Sequence, residues 1–442
     1  MPILPALATQ FQGLFPATAR GQERWRWFLL TLQAILVPIT ASRTSNLLRA
    51  IATLFGVDIA PSRYYTFMAS VKRRWGSGWE VLWRAIPNPL TAGRLLVALD
   101  DAIHPKTGRQ VFGGQPTFDP AAKTHHSQYP WAPTMVTVGL LKVLHGRWSC
   151  LPLAFACYLR RQTLRAGGIR VRGEAGVFQR QFAPAVRLIA GLAKVFGHAP
   201  ILVVADSWFG NHGWLKPWRA ALGPRAHRLS RLRVNAVRYE QPTATPGAPG
   251  RPRQYGARLG NTAQLAAAVR VDARTDTINR YGKRREVIAA ERLVMLKTLR
   301  CQVRVVWVFR KTQWVALVTT DPTLSVAQLV EYYGARWKIE AGFREIKQEI
   351  GRAETQTRHP DAVTHHLNFC MAATTMTWSY GAQLHRAPPR RDATAKRTEY
   401  AFADLRRALA KDLGGQGFGI DCRIPGNATR NPLIATVMDL VA

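Results

Sequence analysis

Three carboxylates stand out by where they fall. Asp100 closes the apolar run LLVAL at 95–99, Asp206 closes ILVVA at 201–205, and Glu340 lies within YGARWKIEAGFREIK at 333–347. A carboxylate at the end of an apolar strand stands at a sheet edge, where ligands dock in open α/β sheets. Three convergent carboxylates make a hard-oxygen site suited to Mg²⁺ or Mn²⁺. Two such ions about 4 Å apart activate an attacking oxygen and stabilise a leaving oxygen at phosphorus. Taken singly, each aspartate is more often a strand-end or helix-cap residue.

The third acid sits in a polar stripe. Tyr333, Arg336, Glu340 and Lys347 are spaced by 3, 4 and 7 residues (336−333, 340−336, 347−340). On a continuous helix at about 100° per residue they share an arc of about 60°. Helical period normally belongs to the apolar face. A polar stripe with that period is either a solvated face with internal ion pairs or a surface that handles phosphate.

Net charge favours the second reading. The chain has 442 residues, with 62 Lys and Arg against 26 Asp and Glu, a formal net charge of +36. Such a chain seeks a polyanion, most often nucleic acid, with salt-dependent affinity. Its 47% hydrophobic content argues for a globular protein with a sizeable core. Apolar runs such as 28–40 are too short to span a bilayer, and the N-terminus carries no basic segment of the secretory kind. No membrane partner is therefore expected, and a cytoplasmic setting is the expectation. Cys150, Cys157, Cys301, Cys370 and Cys422 are scattered without zinc spacing, so buried free thiols are expected.

The elements that must position the acids follow from texture. Residues 1–90 read as helical. SRTSNLLRAIATLFGVDIAPSRYYTFMASVKRRW has the outline of a helix-turn-helix, with Arg63, Lys72, Arg73 and Arg74 as candidate DNA contacts. Residues 91–225 hold buried strands at 95–99 and 201–205. Further strands are expected at 134–144 and 151–159, and a helix at about 176–196. Residues 226–321 read as a β-rich insertion. Its basic residues Arg251, Arg253, Lys283, Arg284 and Arg285 suit phosphate contacts, and Trp307 and Trp314 are either sheet packing or stacking surfaces. Residues 322–385 hold the motif helix from about Val326 and a second helix at 361–382. Residues 386–442 form a basic tail with a linker and a short helix near 402–412.

These residues carry a family resemblance. Over about 95–380 the chain resembles the DDE transposases of bacterial insertion sequences, in the family 4 group marked by a Tyr-x2-Arg-x3-Glu-x6-Lys signature. Tyr333, Arg336, Glu340 and Lys347 match that signature in type and spacing. VVADSWFGN resembles the segment around the second acid, and LLVALDDAIHPKTGR that around the first. The resemblance implies an α/β, ribonuclease-H-like catalytic core, interrupted by the β-rich insertion and preceded by a helical N-terminal DNA-binding region. It implies a cut-and-paste transposase acting as a homodimer on terminal inverted repeats and target DNA, associated with the bacterial nucleoid. Asp100, Asp206 and Glu340 would be the catalytic ligands of two Mg²⁺ or Mn²⁺ ions, and Tyr333, Arg336 and Lys347 would hold the DNA backbone. One departure stands at the first acid. The family usually has Asp-x-Thr or Asp-x-Ser, whereas this chain has Asp100-Asp101-Ala102. Asp100 is taken as the ligand because the Asp-x-small pattern aligns it first; Asp101 is the alternate, and strand alternation sends the two to opposite faces.

Two other functions suit parts of this pattern. A domesticated nuclease of the same fold would cut without joining. A non-catalytic DNA-binding regulator would use the charge and the helical N-terminus, but would leave the Tyr-Arg-Glu-Lys register unexplained.

Overall fold

The two apolar runs that end in aspartate become adjacent central strands. In the computed structural model, which describes residues 3–73, 75–119, 122, 124–167, 170–171, 174–175, 182–243, 252–280, 283–351, 355, 357–394 and 398–416, β1 (Leu95–Ile103) is followed by β2 (Thr134–Leu144) and β3 (Arg147–Tyr158). His145 and Gly146, both at positive φ, make the tight turn between β2 and β3. Next come β4 (Ile201–Ala205) and β5 (Ala226–Arg231). The order in space is β3-β2-β1-β4-β5, with β1, β4 and β5 parallel and β2 and β3 antiparallel. This mixed sheet is consistent with the ribonuclease-H-like core implied by the resemblance.

Residues 226–321 do not stand beside this sheet. They extend it. β5 supplies the core's fifth strand, and β6 (Val237–Tyr239), β7 (Arg258–Asn261), β8 (Arg274–Arg280), β9 (Lys283–Leu296), β10 (Cys301–Phe309) and β11 (Trp314–Thr319) follow. β11 pairs antiparallel with β5, and the path runs on through β10, β9, β6 and β7, with β8 on the side of β9. The result is one eleven-stranded sheet. A continuous ladder leaves no backbone edge between the two parts to satisfy otherwise.

Helices cover both faces of the core. The N-terminal helices are α1 (Ile3–Gln12), α2 (Ala19–Leu36), α3 (Thr44–Phe55), α4 (Pro61–Met68) and α5 (Trp75–Arg84). The rest are α6 (Arg161–Gly167), α7 (Phe182–Val195), α8 (His212–Leu222), α9 (Thr262–Val269), α10 (Val326–Ala335), α11 (Trp337–Gln348), α12 (Pro360–Gln383) and α13 (Phe402–Gln416). Strand alternation sorts the core into two layers. Leu95, Val97 and Leu99 pack with the N-terminal helices and α12, whereas Leu96 and Ala98 pack with Leu329, Tyr332 and Ile339 of α10 and α11.

The N-terminal helices are built into this body. Trp75 and Trp79 of α5 donate their indole N–H groups to His365 Nδ1 and Asn368 Oδ1 on α12, at 2.9 and 2.7 Å, and Trp83 donates to the Leu153 carbonyl at 2.8 Å. Arg73, expected at a DNA surface, instead lies over the Phe67 ring at 3.9 Å and the Phe369 ring at 5.2 Å. Burial pushes its guanidinium pKa down to about 9. Arg63 is exposed but paired with Glu23 at 2.8 Å, Lys72 is exposed, and Arg74 lies outside the described residues.

The expected tail is likewise integrated as far as α13. Arg406 is buried and donates to the carbonyls of Ile35 and Leu36 at the end of α2 and of Glu349 at the end of α11. A guanidinium suits this place because the last carbonyls of both helices lack intrahelical donors. Cys150 and Cys370 are buried and outside any disulfide, Cys157 and Cys301 are half-buried, and Cys422 lies outside the described residues. No helix among the described residues is long and apolar enough to cross a membrane.

Candidate active site

The sheet register settles how the two aspartates stand. Leu99 pairs with Ala205 as the last parallel pair of β1 and β4, so Asp100 and Asp206 follow side by side. Both continue the even-numbered positions, Leu96–Ala98 and Leu202–Val204, whose side chains face α10 and α11. Asp100 is therefore directed to the helix that bears Glu340. Asp101 is exposed and has the opposite parity.

Asp206 is fixed by a turn. Its Oδ1 accepts backbone N–H groups of Trp208 at 2.9 Å and Phe209 at 3.4 Å. The turn closes at Gly210, where a Cβ would stand 2.7 Å from the Ser207 carbonyl oxygen and 3.2 Å from Arg228 Nη2. Arg228 projects from β5 beneath this turn. It is 2% exposed, hydrogen-bonded to Ser230, and its Nη1 is buried without a partner among the described atoms. Burial lowers its pKa to about 10, against the opposing pull of Cys301 and Asp206. Its cationic charge supports the loop that presents Asp206. Nothing in the local sequence marks this arginine, because arginines in a basic chain are expected outside.

The motif helix is delivered by a strong start and broken at a telling place. Ser325 caps α10. Its Oγ accepts from Gln328 N at 3.1 Å, while Gln328 Oε1 accepts from Ser325 N at 2.9 Å. Just before it, Asp321 is tied to Arg94 at the start of β1 at 2.7 Å. The continuous helix expected from about Val326 is instead two, meeting at Arg336. The break puts Glu340 in the first turn of α11 and Lys347 in its last, the favourable sense for the helix dipole.

Arg336 links the acids. Its Nη1 lies 3.2 Å from Asp100 Oδ2 and 3.1 Å from Glu340 Oε1. Burial pushes the Asp100 carboxyl up to about 7; Arg336 opposes this, while Asp101, Asp206 and Glu340 add to it. Asp100 thus has three other carboxylates in its neighbourhood. Tyr333 faces the same region, its phenol pKa raised by burial and opposed by Arg336 and Arg231. Lys347 is exposed further along α11. Arg336, expected on the DNA, is only 5% exposed and turned inward.

Among the described residues no group of three carboxylate, imidazole or thiol side chains is drawn tightly enough to hold a metal ion. A guanidinium lies between Asp100 and Glu340 instead. The donor set still suits a hard divalent cation. Its members are carboxylates, the hard oxygen donors such an ion prefers, and Asp101, Asp206 and Glu340 all lie near enough to Asp100 to add to the rise in its pKa that burial causes. Trp307 is fully buried and donates to the Thr262 carbonyl at 3.2 Å, so it is sheet packing and not a stacking surface. Trp314 is half-buried. Arg253, Arg284 and Arg285 are exposed, the last two on β9 rather than in a loop, and Arg251 lies outside the described residues.

No curated protein matches the chain. Residues 179–376, which include Asp206, Glu340 and the whole Tyr-Arg-Glu-Lys stripe, match the family described as Transposase DDE domain, and this similarity supports a transposase, a class whose substrate is DNA and whose chemistry generally uses divalent metal ions.

Proposed function

We propose that this protein is a DNA transposase that cuts and joins transposon ends by cut-and-paste phosphoryl transfer, with Asp100, Asp206 and Glu340 as catalytic acids and metal ligands. One observation carries the proposal: Asp100 on β1 stands beside Asp206 at the end of the adjacent parallel strand and is joined through Arg336 to Glu340, in a chain whose residues 179–376 are similar to transposase DDE domains. When bound, two Mg²⁺ or Mn²⁺ ions supply the Lewis acidity that activates a water or a 3′-hydroxyl and stabilises the departing oxygen. The protein's own part is to hold and orient. Asp100 lies on β1 and Asp206 directly follows β4, so the strand pairing brings them to one sheet edge, where the turn after β4 holds Asp206. Glu340 closes the site from the helix. Tyr333, Arg336 and Lys347 line the approach to the scissile phosphate and neutralise the backbone.

The remaining assignments belong to the same proposal. Residues 1–90 recognise the terminal inverted repeats, where α3, Gly56 and α4 keep a helix-turn-helix outline and Lys72 is exposed. Residues 226–321 contribute backbone contacts through Arg253, Arg284 and Arg285. Residues 91–225 and 322–385 are the catalytic core, and 386–442 a basic tail. A homodimer holds two ends together, and the protein works in the bacterial cytoplasm at the nucleoid.

The test is cleavage and strand transfer on DNA carrying the inverted repeats that flank the gene, with Mg²⁺ or Mn²⁺. Glu340→Gln keeps the side chain's size and loses its charge. It should abolish both reactions while DNA binding persists. Joint loss of binding and cleavage would assign Glu340 a structural role, and cleavage without joining of a supplied 3′-hydroxyl end would make the protein a nuclease.

A further inference from the structure

Arg336 is placed unexpectedly for a residue of a DNA-gripping stripe. It sits at the junction of α10 and α11, so both helices fix its backbone. Its guanidinium reaches Asp100 and Glu340 together, 236 and 4 positions away in sequence. It lies 4.9 Å from the Trp337 ring centroid and 5.9 Å from that of Tyr333. Its Nε is buried without a partner among the described atoms. Trp337 itself is 55% exposed, so the guanidinium rests against the inner side of a ring that opens to solvent.

We propose that Arg336 is the resident counter-cation of the acid site: it holds Asp100 and Glu340 together while no divalent ion is bound, and ion entry displaces it from both carboxylates. The proposal rests on the reading of these acids as metal ligands. Its physical basis is charge. Like charges held close together in a partly buried site repel strongly, so a cluster of this kind is stabilised by a cation in every state. One guanidinium spans two carboxylates and brings a single positive charge. Divalent ions bring more charge, and a guanidinium about 3 Å from the same oxygens would repel them. The two cations therefore compete. Once displaced, the guanidinium can turn over the Trp337 face toward solvent, where the DNA backbone is the available acceptor. Metal entry and phosphate gripping then become one coupled event rather than two independent ones.

Competition is read directly by Mn²⁺ titration of the full chain in the absence of DNA, followed by thermal unfolding. Arg336→Gln keeps length and planarity and removes the charge. Without ions it should unfold at lower temperature than the parent. Its half-saturating Mn²⁺ concentration should be about tenfold lower, because the ion no longer displaces a bound cation. Arg336→Lys keeps the charge without the planar fork that spans both carboxylates, and should fall between the two. If Arg336→Gln does not fold, Arg336→Lys alone decides, since half-saturation at or above the parent value overturns the proposal. Unchanged or weaker Mn²⁺ binding in Arg336→Gln overturns it as well. Asp100→Asn and Glu340→Gln separate this from the underlying reading. If both retain the parent's Mn²⁺ response, the acids are not the ion site and both proposals fall. If both lose it while Arg336→Gln binds no tighter, only the counter-cation role is refuted.

Discussion

Asp100 and Asp206 stand side by side, each one residue beyond the Leu99–Ala205 pair that ends two adjacent parallel strands. The sheet brings them to one edge, and the turn after β4 holds Asp206 there. Both continue the strand positions, Leu96–Ala98 and Leu202–Val204, whose side chains face the layer formed by α10 and α11.

That shared face separates Asp100 from its neighbour. Asp100→Asn should lower metal-dependent cleavage more than about a hundredfold, since loss of a ligand forfeits several kcal/mol of transition-state stabilisation. Asp101→Asn should stay within a few-fold of the parent. Single-turnover cleavage of end-containing DNA measures both, and a reversed order would shift the site by one residue.

Lys347 is exposed on the last turn of α11, past the acids. Lys347→Ala should reduce the slope of log K against log salt by about one for DNA carrying transposon ends. Fluorescence anisotropy across a salt series provides the slope. No change would leave Lys347 on an ordinary solvated face.

Glu345 lies on the far side of α11 from Glu340, at a cavity shared with Arg147, Lys338, Trp378 and Tyr400. Burial pushes its carboxyl up to about 7, with Lys338 and Arg147 opposing. A folded pKa above the unfolded value adds stability that is full below about 4.5 and is lost as pH rises through about 7. Glu345→Gln removes this dependence. Its melting temperature should match the parent at pH 5 within error and exceed it at pH 8 by about 2 °C. Equal melting temperatures at both pH values would mean that the carboxyl is solvated.

The N-terminal helices carry core packing as well as any role at DNA. Removing residues 1–90 takes away Trp75, Trp79 and Trp83 and uncovers Phe369 and Asn368 on α12. The truncated chain should bind a hydrophobic dye strongly and aggregate. A soluble, cooperatively melting fragment 91–442 would show that the helices are a separable module.

The strands that end in the two aspartates were legible because β1 and β4 are buried on both faces and read as unbroken apolar runs. Which of Asp100 and Asp101 faces the motif helix was not, because residues 95–99 are buried on both faces and their parity takes meaning only from the strand pairing. The docking of α5 also had a signal, in tryptophans repeated at 75, 79 and 83. The continuity of the sheet did not. β9 mixes charged and apolar residues, with Arg284, Arg285 and Glu286 exposed and Ala289 and Ala290 buried, and nothing local states which strand it joins. Buried arginines were illegible for a different reason. In a chain this basic, Arg228, Arg336 and Arg406 look like surface charge, and only tertiary packing distinguishes them.

Arg406 bears on the order in which this molecule is made. The helix carrying Glu340 leaves the ribosome well before α13, and its C-terminal carbonyl at Glu349 waits for a donor more than fifty residues downstream. A chain halted short of residue 402 has all three acids but lacks the bolt that joins α11 to α2. The C-terminal end of the helix that bears Glu340 therefore gains this donor only when the chain is nearly complete.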